Sequence, residues 1–121
     1  MKKTLVIGAS TNPERYSFKA INSLVNHNHT VVAIGQRIGE VAGVKIQAKA
    51  IPATKIHTVS LYLNAVAQRD YYNYIIGLNP KRVLFNPGTE NPEFYQLLKA
   101  NGIKYEEACT LVLLATNQYS S

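Results

Sequence analysis

The chain of 121 residues has no tryptophan, one cysteine, one methionine and one aspartate, Asp70. A lone cysteine, Cys109, excludes an internal disulfide and fits a reducing, cytoplasmic compartment. At this length a chain buries about two-thirds of its unfolded surface, so a single core suffices without disulfides or a metal. No apolar run nears the roughly 18–20 residues of a membrane-spanning helix. The basic start, Met1-Lys2-Lys3, is followed by only three apolar residues in a row before Gly8, too few for a signal peptide. Catalytic groups are equally sparse. His27, His29 and His57 are the only histidines, and two of them close a helix with no cysteine or carboxylate nearby, which reads as a solvated turn rather than a metal site. No Ser-His-Asp, Cys-His or paired-carboxylate arrangement can be placed, so no catalytic residue is assigned.

Lysine and arginine number 13 against 7 acidic residues, a net charge of +6. Such a balance attracts polyanions or a phosphorylated small ligand. The basic residues are scattered singly or in pairs, such as Lys2-Lys3 and Lys81-Arg82, with no basic helix face. The eight tyrosines do not interleave with arginine, so nucleic-acid recognition is set aside in favour of a small anion.

Apolar residues make up 46% of the chain, the share of an ordinary globular domain. Residues 3–8 form a short apolar run stopped by glycine, as in a buried parallel strand. Tyr16, Ala20, Ile21 and Leu24 then recur at helical spacing, and residues 30–35 form a second β-branched run, again ending in glycine. Strand, turn, helix and strand in this order make a βαβ unit with parallel strands. Further strands are expected at 58–63, 82–86 and 103–106, with helices near 67–78 and 92–101. A short strand at 44–46 and, at 109–116, a short helix that periodicity does not separate from a sixth strand complete the pattern. The whole reads as a single α/β domain, a Rossmann-like doubly wound, mostly parallel sheet of about five strands with helices on both faces.

In such sheets ligands bind beyond the carboxyl ends of the strands, at the point where strand order reverses. The first of these loops is the richest. Gly8 lets the backbone pass close to a ligand, and the following helix aims its free N–H groups at the same space, a favourable place for phosphate. Ser10 and Ser17 add hydroxyls there, and Arg15 and Lys19 add positive charge. The plain alternative is that Gly8 ends a strand, Ser17 caps a helix and Arg15 is solvated. The dinucleotide fingerprint needs three glycines and an acidic residue after the second strand. This loop, Gly8-Ala9-Ser10-Thr11-Asn12-Pro13, has one glycine, and the second strand ends in Gly35-Gln36-Arg37. NAD and FAD are thereby disfavoured, while Arg37 suits a phosphate on the ribose. A second motif, residues 86–93, combines a Pro-Gly turn with Thr89 or Asn91 as a helix cap and Glu90 and Glu93 in the first turn. Cys109 follows Glu106-Glu107, whose negative field works against a reactive thiolate.

Taken together, Gly8-Ala9-Ser10, Asn12-Pro13-Glu14-Arg15-Tyr16-Ser17, Asn86-Pro87-Gly88-Thr89-Glu90-Asn91 and Cys109-Thr110-Leu111-Val112 resemble the small stand-alone CoA-binding proteins. That family is related in fold to the N-terminal CoA-binding domain of the succinyl-CoA synthetase alpha subunit. The resemblance runs from Leu5 to about Tyr119. It implies that Gly8, Ala9, Ser10, Arg15, Tyr16 and Ser17 contact the phosphates and pantetheine. Gly35 and Arg37 would then lie near the adenosine end, and Asn64, Asn86, Pro87 and Gly88 would line the cleft. Where many relatives carry Asn-Pro-Lys after the second strand, this chain has Gly35-Gln36-Arg37. The synthetase's second domain, with its phosphorylated histidine, has no counterpart.

The leading expectation is a protein that binds coenzyme A or an acyl-CoA without chemistry of its own, as carrier, sensor or subunit of a partner enzyme. Cys109, at the family's cysteine position, could join the CoA thiol in a mixed disulfide. The alternative from the enzyme class is an NADP-linked small oxidoreductase or another nucleotide-binding enzyme. A homodimer or partner surface on Tyr71, Tyr72 and Tyr74 is compatible with either.

Overall fold

A computed structural model of the chain describes residues 1–120. They build a seven-stranded sheet in the order β3-β4-β2-β1-β5-β6-β7. β1 (Thr4–Ala9) lies at its centre, parallel to β2 (Val31–Gly35) on one side and to β5 (Thr58–Leu61) on the other. β6 (Arg82–Phe85) and β7 (Lys104–Glu107) extend the parallel sheet to one edge. On the other edge β4 (Val44–Gln47) runs parallel to β2, and β3 (Gly39–Val41) folds back on it antiparallel.

β1, β2, β5 and β6 stand where the apolar runs predict them, and β7 lies within one residue of the strand expected at 103–106. The sheet is wider than about five strands because residues 39–47 form the β3–β4 hairpin around Ala42 and Gly43, both at positive φ. Thr4, Leu5, Val6 and Ile7 are all fully buried, as expected where helices cover both faces. Their side chains alternate between two cores. Leu5 and Ile7 pack with Val59, Leu61, Val83 and Phe85 under Tyr72, Ile75, Phe94 and Leu98. Val6 packs with Ala33, Ile46 and Leu84 under Ile21, Leu24 and Leu114.

Thus α1 (Tyr16–Asn26) and α5 (Thr110–Ala115) cover one face, and α3 (Tyr72–Leu78) and α4 (Pro92–Ala100) the other. The helix expected near 67–78 is divided. A single turn, α2 (Ala65–Gln68), capped by the Asn64 side chain, passes through a 3₁₀ turn into α3. α4 starts as its sequence predicts: Asn91 Oδ1 accepts the Phe94 N–H, Pro92 takes the first position, and Glu93 lies in the first turn. Among the described residues no helix is long and apolar enough to cross a membrane.

Candidate functional site

Strand order reverses direction at β1, where β2 leaves to one side and β5 to the other. The loops that follow these strands and β6 enclose a cleft of about 880 Å³, within the roughly 300–1,000 Å³ usual for small-molecule sites. Gly8, Ala9, Ser10, Arg15, Tyr16, Ser17, Arg37, Asn64, Pro87 and Gly88 all line it.

The floor depends on two glycines. Gly8 has φ +94°, and a Cβ there would stand 2.9 Å from the Tyr62 backbone carbon. It marks an irregularity in the β1–β2 register. Gly35 is not in the cleft lining. A Cβ at Gly35 would fall 2.2 Å from the Ala9 carbonyl oxygen, so its role is to let β2 pass the end of β1.

The loop between β1 and α1 is held by its own side chains. Ser10 Oγ accepts the Asn12 N–H and Asn12 Oδ1 accepts the Glu14 N–H, both at 3.0 Å. These turns deliver the chain to α1 with extended backbone at Arg15, and no side chain caps the helix or places an acid in its first turn. The first N–H groups of an α-helix have no partner within it. In α1 they open on the cleft beside Tyr16 and Ser17, with the positive end of the helix dipole behind them. Ser17 is buried in the helix and does not cap it. Arg15 and Arg37 stand at the same cleft, and the one ion pair among the described residues lies elsewhere, between Arg69 and Glu93. The arrangement can therefore take an anion without first breaking an internal ion pair.

On the opposite wall the 86–91 loop is braced from behind. Gln68 Nε2 donates to the Thr89 carbonyl at 2.7 Å, and Asn91 Nδ2 donates to Gln68 Oε1 and to the Tyr72 hydroxyl. The Glu90 carboxylate accepts the Gly88 N–H at 3.0 Å. Asn86 is 2% exposed and belongs to this bracing, outside the cleft lining. Lys19 also lies outside, with its ammonium 5.2 Å from the centre of the Tyr16 ring. Cys109 is half-buried at the start of α5 and does not line the cleft.

Thr11, Asn12, Glu14, Gln36, Tyr62, Leu63 and Thr89 complete the lining. Each lies on a loop or strand end that follows the parallel strands; Asn12, Glu14 and Thr89 also belong to the motifs that carry the family resemblance, while for Thr11, Gln36, Tyr62 and Leu63 position is the only signal. Tyr62 is unusual among them. Its hydroxyl is buried, with no hydrogen-bond partner among the described residues. Burial pushes its pKa up to about 12, against an opposing pull from the neighbouring Ser60 and Thr110 hydroxyls. Glu14 is the one carboxylate in the lining, and neither histidine nor cysteine belongs to it. His27 and His29 border a separate cavity of about 250 Å³ together with Tyr119.

The model for the CoA binding domain matches residues 2–115 of this sequence. The chain belongs to that CoA-binding family. Among solved structures it is similar to an uncharacterized protein at 43% identity, with a TM-score of 0.94 and 98% of each chain covered. It is also similar to a hypothetical protein from Pyrococcus horikoshii, at 27% identity and a TM-score of 0.83, over 92% of this chain and 80% of that one. A protein from Thermus thermophilus shares the fold at 22% identity, with a TM-score of 0.86 over 97% and 90% of the two chains. A comparison with curated proteins found no match. CoA-family membership agrees with a cleft built around a free helix start and two unpaired arginines.

Proposed function

We propose that the cleft binds coenzyme A or an acyl-CoA, and that the protein acts as a carrier, sensor or partner subunit without catalysis of its own. The observation that carries this reading is the uncapped start of α1 facing the cleft beside Arg15 and Arg37, neither of them ion-paired among the described residues. The pyrophosphate belongs over the loop from Gly8 to Ser10 and the first turn of α1, where backbone donors, Ser10 and Arg15 converge. Gln36 and Arg37 take the adenosine end with its ribose phosphate. Asn64, Pro87 and Gly88 border the pantetheine arm.

A lining with one carboxylate and no histidine or cysteine favours binding over acid–base or nucleophilic chemistry. Arg37 would equally meet the ribose phosphate of NADP, so the test compares both ligands. Isothermal titration with CoA, dephospho-CoA, NADP and ATP should rank CoA tightest. Native mass spectrometry of the freshly purified protein would reveal a retained CoA or acyl-CoA, and the excess mass would name the acyl group. No heat with CoA at about 1 mM, the affinity of a merely nominal contact, would overturn the reading. Tighter binding of NADP would replace it with the oxidoreductase alternative.

A further inference from the structure

We propose that two copies of this chain associate edge to edge, pairing β7 with β7 antiparallel about a two-fold axis at Tyr105, so that their two sheets become one.

β7 ends the sheet, and its open side carries backbone groups with no neighbouring strand among the described residues. Which groups these are follows from the ladder. The Ala108 N–H donates to the Phe85 carbonyl at 3.1 Å, and in a parallel pair alternate residues address the same neighbour. Lys104 and Glu106 therefore bond to β6, and Tyr105 and Glu107 turn their N–H and C=O outward. The Ile103 carbonyl points the same way, while its N–H is taken by the Leu98 carbonyl at 2.9 Å.

A two-fold axis perpendicular to the sheet sets opposite one another residues that share a face. Centred on Tyr105, it places Tyr105 opposite Tyr105, Ile103 opposite Glu107, and Lys104 opposite Glu106. The Tyr105 N–H groups then donate to the facing Tyr105 carbonyls, and each Glu107 N–H donates to the facing Ile103 carbonyl. No outward donor is left over among the three residues.

Charge selects this register. Lys104 and Glu106 are exposed on the same face of β7. In the Tyr105-centred register each Lys104 meets the Glu106 of the second copy, twice over. Centring on Lys104 sets lysine against lysine, and centring on Glu106 sets glutamate against glutamate, both unfavourable. A charged edge strand usually keeps other strands away. Here the signs alternate so that the strand is complementary to itself. On the other face Tyr105, stacked on Tyr95 with ring centres 4.3 Å apart, meets its own copy, extending an aromatic row.

Because the paired strands run in opposite directions, the two clefts open at opposite ends of the joined sheet. Association and ligand binding are therefore independent, and neither reading rests on the other. The test is sedimentation equilibrium of the full chain up to about 1 mM, since a small interface of this kind is weak. The wild type should be dimeric at the upper concentrations. Lys104→Glu alone and Glu106→Lys alone should weaken the dimer by about tenfold or more, with unchanged circular dichroism. Mixing the two single variants should restore a dimer, because every facing pair is again opposite in sign, and the double reversal should restore a homodimer. A wild type monomeric throughout the range would overturn the proposal. So would single reversals that dimerise like the wild type, or a mixture that fails to associate.

Discussion

Asn86 holds the start of α5 to the centre of the sheet. Its Oδ1 accepts the Thr110 N–H at 2.8 Å, and its Nδ2 donates to Ser60 Oγ and to the Leu61 carbonyl, both at 2.9 Å. The Ser60 and Thr110 hydroxyls meet at 2.9 Å behind it. One side chain thus ties β5, β6 and α5 together, with every polar atom of the group buried.

Asn86→Ala leaves the Thr110 N–H and the Leu61 carbonyl buried and unpaired. Each such group costs about 1–3 kcal/mol, so the variant should lose about 3 kcal/mol of stability in urea unfolding. Where the variant remains folded, its CoA affinity should change little, because Asn86 lies outside the cleft lining. Lost affinity at unchanged stability would instead make Asn86 a ligand contact.

Gly8 and Gly35 differ from the chain's open-space glycines in a measurable way. Gly8→Ala forces a positive φ on a side chain that also meets the Tyr62 backbone at 2.9 Å. Gly35→Ala puts a methyl 2.2 Å from the Ala9 carbonyl oxygen. Each should lower the melting temperature by about 10 °C or more, from strain of at least 2 kcal/mol or so. The contrast comes from Gly77→Ala, in a helix where nothing lies within 4 Å of the new Cβ. It should raise stability by up to about 1 kcal/mol. Differential scanning calorimetry of the three variants decides the matter.

Much of this architecture was legible because parallel strands buried on both faces have a plain signature. Residues 4–7 are apolar or β-branched throughout, and Gly8 and Gly35 punctuate their strands. The β3–β4 hairpin was harder to read. Its turn uses Ala42 at φ +51° before Gly43, where a hairpin usually announces itself with Asn-Gly or Asp-Gly. The bracing network behind residues 86–91 was equally hidden, since Gln68 and Asn91 are joined only by the fold. Asn86 shows what a sequence leaves open. A polar residue at a strand end suits a ligand contact, and only the fold shows its burial and its bonds to Thr110, Ser60 and Leu61. Strand order, by contrast, was enough to locate the cleft, because the cleft lies where the sheet reverses.

Two tyrosines should register in the alkaline limb of the stability curve. Burial raises Tyr62 to about 12, and burial with the Glu107 carboxylate beside its hydroxyl raises Tyr95 to about 12. A tyrosine whose pKa is higher in the folded state holds its proton where the unfolded chain has begun to lose it. Its contribution is therefore complete below pH 10 and is lost as pH rises from about 10 to about 12. Tyr62→Phe and Tyr95→Phe should each flatten that decline relative to the wild type. At pH 7 they part company. Tyr62→Phe removes a buried hydroxyl that has no partner among the described residues and should be neutral or stabilising by up to about 1 kcal/mol. Tyr95→Phe removes a hydrogen bond to Glu107 at 2.7 Å and should cost about 1 kcal/mol. Urea titrations of the three proteins at pH 7 and pH 11 separate these outcomes.

Cys109 provides a test of where the thiol end of the ligand lies. The residue sits outside the cleft lining, so Cys109→Ser should leave CoA affinity within about twofold, less than half a kcal/mol. If the CoA thiol nevertheless reaches it, unreduced protein mixed with CoA disulfide will gain the mass of one CoA, and the serine variant will not.

The arginines should separate the two ends of the ligand. Arg15 stands beside the free N–H groups of α1, and Arg37 follows the second strand on the far side of the loop. A charge-assisted hydrogen bond to phosphate is worth about 1.5–3 kcal/mol, so either Arg→Ala variant should bind CoA about 10- to 100-fold more weakly. The losses should differ in kind. If Arg37 meets the ribose 3′-phosphate, Arg37→Ala will bind CoA and dephospho-CoA alike, since the group that distinguishes them has lost its partner. Arg15→Ala will weaken both ligands by the same factor and keep the wild-type preference between them, because both carry the pyrophosphate. Calorimetric titration of two ligands against three proteins measures this directly. Should Arg37→Ala retain the wild-type preference for CoA over dephospho-CoA, the adenosine end does not lie at Gln36 and Arg37, and the ligand's direction in the cleft must be reversed.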